Sequence, residues 1–242
     1  MNKKGINFDW KYTPEFDETF IKSFPTHETV HIPHANKELP FNNFSEKDYQ
    51  FVSSYEKVID VKKQKEKRYI LRFEAVMTYA EVYVNEILVG AHKGGYTPFQ
   101  FDITKELKEG ENKVFVKVDS TERNDIPPFG FVIDYLCYGG IYREVYLIEQ
   151  EENFIDQAHI STDEHHLQTI VFFDVTKNEE ITLKFVVKKE DKVVETWEEK
   201  TDLNDKTYTS TQHLHLDKWT LDKPVLYTME IYMNDVLSFS DR

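Results

Sequence analysis

Apolar and polar residues alternate along most of this chain with a period of two, the pattern of strands that bury one face. The strongest stretch is residues 69–104, YILRFEAVMTYAEVYVNEILVGAHKGGYTPFQFDIT. Leu71, Phe73 and Ala75 alternate with Arg72 and Glu74, and Ala80, Val82 and Val84 alternate with Glu81 and Tyr83. Asn85-Glu86 stands between two apolar runs at a two-residue hairpin position. Asn tolerates the positive φ of such a turn; Glu tolerates it less well. After Gly94-Gly95 and Tyr96-Thr97-Pro98, alternation resumes through Phe99, Phe101 and Ile103.

Elsewhere the pattern predicts a first strand over 8–12, a short helical turn within 16–23 and a strand over 49–61. A helical turn with a Gly reversal is expected over 107–112, then a strand carrying Val114, Val116 and Val118, with Phe115 and Lys117 on its other face. Residues 119–138 form a long loop containing Pro127-Pro128; long loops in compact domains are usually functional. A strand over 143–149 follows, then the polar run Glu149-Gln150-Glu151-Glu152-Asn153, which marks a domain boundary. Beyond it, strand signals recur every 8–12 residues, over 154–161, 167–175, 181–188, 193–200, 206–216 and 227–233. That cadence, with polar turns and no helices, predicts a β-sandwich.

Composition agrees. Phe and Tyr number 18 and 14 against eight Gly and four Met, which favours strands. The apolar fraction of 40% suffices for a core. A formal charge of −14 argues against nucleic acid and anionic membranes as partners. The single cysteine, Cys137, excludes an intrachain disulfide. The N-terminal residues lack a signal-peptide pattern and no run reaches the roughly 20 apolar residues of a membrane helix, so a cytoplasmic location is the expectation.

Four stretches, in order, carry a family resemblance. They are VHIPH at 30–34, the segment 69–104, YGGIYREV at 138–145 and WTLDKPVLY at 219–227. Together they resemble the amino-terminal portion of glycoside hydrolase family two, which includes β-galactosidases, β-glucuronidases and β-mannosidases. In the last stretch Leu221 stands where the family usually has Pro. The resemblance implies an all-β chain: a jelly-roll, galactose-binding-domain-like β-sandwich over 1–150 and an immunoglobulin-like β-sandwich over 151–242. The last strand of the second is expected to be missing or only begun at 235–239, leaving an open edge and some self-association, hence a homo-oligomer. The catalytic (β/α) barrel of the family, roughly 250 residues more, is absent, so the chain reads as a fragment.

Retaining glycosidases need two carboxyl groups about 5–5.5 Å apart. The family places both on barrel glutamates, one directly after an Asn. Asn85-Glu86 and Asn178-Glu179 copy the dipeptide, but at predicted turns, and no residue here is assigned as catalytic. The resemblance implies substrate binding by Asp134 and its neighbour Tyr135. In family β-galactosidases the Asp ahead of the G-I-[FY]-R motif enters the barrel's active site and holds sugar hydroxyls, in some through sodium. The other reading is a loop Asp capping its own backbone. No cofactor is implied for this chain; a sodium or magnesium ion belongs to the full-length enzyme, whose partner is a β-linked carbohydrate. The loop is expected to be exposed and poorly packed. Tyr96, Phe99, Phe129, Phe131, Tyr135 and Tyr138 are candidate sugar-stacking rings, of which at most two are expected to serve. His213 and His215 share a strand face, but no third ligand has telling spacing, and no metal site is assigned. Rival functions are a stand-alone carbohydrate-binding module and a structural module without ligand.

Overall fold

The computed structural model describes residues 2–130, 136–163 and 165–242. The chain divides into two units, Asn2–Glu149 and Gln150–Arg242. Both are all-β, with antiparallel pairing in every sheet and only two short 3-10 turns, Glu18–Ile21 and Glu46–Asp48, among the described residues. They form a jelly-roll sandwich followed by an immunoglobulin-like one. No helix among the described residues is long and apolar enough to cross a membrane.

The first unit has ten strands: β1 Asn2–Gly5, β2 Trp10–Thr13, β3 Glu28–Val30, β4 Val52–Val61, β5 Lys67–Phe73, β6 Tyr79–Val84, β7 Ile87–Lys93, β8 Phe99–Asp102, β9 Gly110–Asp119 and β10 Val145–Glu151. They make a four-stranded sheet, β1-β10-β5-β8, and a six-stranded sheet, β3-β2-β4-β9-β6-β7. Period-two alternation puts Leu71, Phe73, Val82, Val84, Val114, Val116 and Val118 in one core with Trp10 and Tyr55. Strand β1, NKKG, lacks an apolar pattern because all four of its residues are exposed; it is a strand through its ladder to β10. Phe115 points to the opposite face from its valine neighbours yet is 1% exposed. Phe16 and Phe24, from the segment between β2 and β3, cover it with ring centres 6.3 and 6.1 Å away. The turn expected over 107–112 lies earlier: the amides of Glu106 and Leu107 both donate to Ile103 O, and Gly110 already begins β9.

The second unit holds β11 Phe154–Thr162, β12 His166–Asp174, β13 Glu180–Lys189, β14 Lys192–Asp202, β15 Thr207–His213, β16 Thr228–Met233 and β17 Val236–Asp241. Its sheets are β11-β12-β15 and β14-β13-β16-β17. Phe185 and Trp197 stack at 5.0 Å, and the Trp197 indole donates to Ser210 Oγ on the opposing sheet. The strand expected to be missing or only begun at 235–239 is formed: β17 pairs with β16 from Met233↔Val236 to Met229↔Asp241. Asn234-Asp235, at φ 49° and 65°, make the two-residue turn between them.

Asn85 and Glu86 both have positive φ, 48° and 72°. Asn85 also spans to the neighbouring strand. Its amide N–H donates to Lys113 O, its side-chain oxygen accepts from Lys113 N–H, and its Nδ2 donates to Glu106 O and Asn112 Oδ1. Asn234 does the same with Thr182. A turn asparagine thus locks each hairpin to the strand beside it.

Candidate functional site

The candidate loop, 119–138, leaves the end of β9 and returns to a glycine pair ahead of β10. Asp134, Tyr135 and Phe131 lie outside the described residues. The two ends of the loop are described, and both are fixed to the first unit.

The return end is a junction of backbones. Asn36 N–H donates to Gly139 O at 2.8 Å and His34 N–H to Ile141 O at 2.8 Å. Met77 and Gly140 exchange both of their backbone hydrogen bonds, at 3.0 and 3.2 Å. Gly140 sits at φ 120°, and a Cβ there would come within 3.0 Å of His34 O and Asn36 N. At Gly139 a Cβ would strike Ser120 and Asn36 Nδ2, and at Gly95 the Met77 sulfur. These glycines are needed because several chain segments meet at contact distance. The Tyr142 hydroxyl donates to Gly95 O and ties this junction to the Gly94-Gly95 turn.

Buried polar groups complete it. Ser120 Oγ accepts from Phe51 N–H and Asn36 Nδ2, and donates to Phe51 O at 2.8 Å. Asn36 Oδ1 is buried without a hydrogen-bond partner among the described residues. The Tyr12 hydroxyl donates to Asn36 O at 2.5 Å, and His34 Nδ1 lies 2.9 Å from the Tyr55 hydroxyl. Burial pushes the phenols of Tyr12 and Tyr55 up and, against the pull of Glu28 and Glu38, lowers the His34 imidazole. His34 is therefore occupied in positioning Tyr55.

The outgoing end is largely exposed, as expected, with Glu122, Asn124, Asp125, Pro127, Phe129 and Gly130 at the surface, and ion pairs tie it to the first unit. Asp119 accepts from Thr121 N–H and Oγ1, and Arg123 lies 3.5 Å from Asp119 and 3.2 Å from Asp125. Lys93 reaches Asp125 at 2.6 Å. Hydrogen bonds from Lys93 and then Arg123 hold the Asp125 carboxyl down at about 2. Ile126 is buried, and Gly130 N–H donates to Glu122 Oε1.

Aromatic rings stand around these ends. Tyr96, Phe129 and Tyr138 are exposed, whereas Phe99 belongs to the core, stacked between Phe73 and His92. Tyr138 lies 5.9 Å from Tyr49. Burial pushes the Cys137 thiol up, opposed by a hydrogen bond with Tyr96, so it is not poised as a nucleophile. The sequence showed the glycines and rings but not Asn36, Ser120 and Tyr49, which are single residues without a motif.

Neither Asn-Glu dipeptide stands in a strand. Asn85-Glu86 is the β6–β7 turn, and Glu179 accepts from Asn153 Nδ2 at 2.6 Å in a connection of the second unit. A cleft of about 660 Å³ does occur in the second unit, lined by Trp219, Leu216, Tyr227 and Asp217 among others. The Asp217 carboxylate there is paired with Lys189 and Lys223.

Residues 20–151 match the family described as "Glycosyl hydrolases family 2, sugar binding domain". A β-galactosidase of Thermoanaerobacter pseudethanolicus is 38% identical, the match covering 98% of this chain and 34% of that protein. Among solved structures, a putative β-galactosidase from Bacteroides fragilis superposes with a TM-score of 0.84 at 28% identity, over 99% of this chain and 40% of its own. A β-glucuronidase from Bacteroides uniformis gives 0.83 at 26%, over 99% and 31%. The chain spans about a third of the length of the curated relatives matched over nearly all of it.

Proposed function

This chain belongs to glycoside hydrolase family 2, and from that premise we propose that it is the non-catalytic amino-terminal portion of a larger retaining β-glycosidase, a β-galactosidase. The carrying observation is the 38% identity to a β-galactosidase across 98% of this chain but 34% of that enzyme. The two sandwiches buttress a catalytic barrel, and the first lends the loop 119–138 to one edge of the substrate site. Asp134 and Tyr135 are the residues that reach a β-linked sugar. The fixed ends of the loop favour this reading, since a residue that must meet a substrate needs a rigid base. A cytoplasmic location is part of the same proposal, in keeping with a single unpaired cysteine. The exposed pairs Ile87-Leu88, Val193-Val194 and Val236-Leu237 support self-association along strand edges.

The exposed rings of Tyr96, Phe129 and Tyr138 favour a second reading, a module that binds carbohydrate by itself. Kinetics separate the two. The complete enzyme should hydrolyse p-nitrophenyl β-galactoside at least tenfold better than the β-glucuronide, and this chain alone should hydrolyse neither. Preference for the glucuronide would overturn the substrate assignment. Turnover by this chain, surviving purification away from host enzymes, would overturn its non-catalytic role. Saturable binding of galactosides by the isolated chain, unaffected by Asp134→Ala, would favour the second reading.

A further inference from the structure

We propose that the end of the three-stranded sheet in the second unit binds a divalent transition-metal ion of the zinc class through the imidazoles of His165, His213 and His215, with His166 as a fourth ligand. In sequence these are two separate pairs. The β12–β15 ladder unites them: His166 and His213 are Cα partners, and Leu214 N–H donates to His165 O at 2.9 Å. Four of the nine histidines thus stand at one end of this sheet, with the His213 ring against each of the other three.

The spacing suits a metal. Ring centres are 5.6 Å apart for His165–His213, 5.6 Å for His165–His215 and 5.2 Å for His213–His215. His166 lies 5.3 Å from His213. Zinc holds a histidine nitrogen at about 2.0–2.1 Å, which places two tetrahedral ligands' ring centres roughly 5.2 Å apart. No three His, Cys, Asp or Glu side chains among the described residues already converge as a metal-holding group. Binding therefore requires the rings to turn toward a common point; the last side-chain torsion of histidine is a soft two-fold coordinate, and all four residues are exposed.

Asp163 supplies the outer support. Its Oδ1 accepts from the backbone N–H groups of His165 and His166 at 2.8 Å and lies 3.2 Å from His166 Nδ1. A carboxylate on one imidazole nitrogen fixes the ring and leaves the other nitrogen as a ligand. An all-imidazole set selects zinc, nickel or copper over magnesium or calcium.

The test uses this chain without an affinity tag. Calorimetric titration with ZnCl₂ should give one ion per chain with a micromolar or lower Kd, and Co²⁺ should produce the visible bands of a tetrahedral nitrogen site. His213→Ala, which removes the ring touching the other three, should weaken binding by at least about tenfold and abolish the cobalt bands. His215→Ala should act likewise. Asp163→Asn keeps an acceptor for the two backbone amides and should weaken binding by about 10–100-fold. His159→Ala, on β11, should change nothing. No stoichiometric binding, or binding of full affinity in His213→Ala, would overturn the site.

Discussion

Replacing Gly140 by alanine tests whether the junction beneath the candidate loop is as tight as described. Two costs combine. The residue sits at φ 120°, where an L side chain is strained by about 1–2 kcal/mol. The new Cβ also meets His34 O and Asn36 N closer than 3.0 Å. Those are backbone atoms of residues already bonded to Ile141 and Gly139, so they yield only by breaking the junction. Overpacking of this kind costs about 1–3 kcal/mol. The expected loss is therefore about 2–5 kcal/mol in the first unit. Gly110→Ala is the control, because Gly110 has φ 85° and a Cβ there would meet nothing within 4 Å. It should cost only the strain, about 1–2 kcal/mol. Calorimetric melting, with hydrogen exchange assigning each transition to a unit, measures both. A Gly140→Ala loss no larger than that of Gly110→Ala would refute the steric argument.

Other predictions concern separate parts of the molecule. Ile231 is fully buried in the second core, so Ile231→Val should cost about 0.5–1.5 kcal/mol and lower only the second unit's transition. An equal fall in both transitions would contradict two separate cores. Burial pushes the Glu81 carboxyl up, but hydrogen bonds from Tyr83 and Lys117 outweigh it and leave the group below its ordinary value. A lowered carboxyl stabilises the fold fully above the unfolded-state value, about 4.3, and this contribution is lost as pH falls through the lower folded value. Glu81→Gln should thus lower first-unit stability at pH 7 and reduce its further fall between about pH 5 and pH 2; an unchanged acid slope would count against it.

The alternation at β6, β12 and β16 was legible in the sequence because each of these strands buries one face, and period two then exposes its residues in turn. Reading failed where tertiary partners override that rule. Strand β1 has no apolar residue to announce it, and Phe115 is buried on the expected polar face by rings from the distant segment between β2 and β3. The Asn234-Asp235 turn carries the same chemistry as Asn85-Glu86 but lies where the last strand was expected only to begin. At the candidate site, the glycines at 94–95 and 139–140 were visible, but their reason was not, since a backbone junction involves segments far apart in the chain. Asn36 and Ser120 carry no motif at all. The histidine cluster was invisible for the same reason: only the β12–β15 register brings 165–166 beside 213–215.

The most direct test of the central claim is one substitution read two ways. Asp134→Ala in the full-length enzyme should lower kcat/KM for an aryl β-galactoside by roughly 10- to 200-fold, the equivalent of about 1.5–3 kcal/mol for a hydrogen bond to a charged group. The same substitution in this chain should leave its melting temperature unchanged. Unchanged kinetics in the enzyme, with a lowered melting temperature in this chain, would make Asp134 a backbone cap and contradict a loop that serves the substrate.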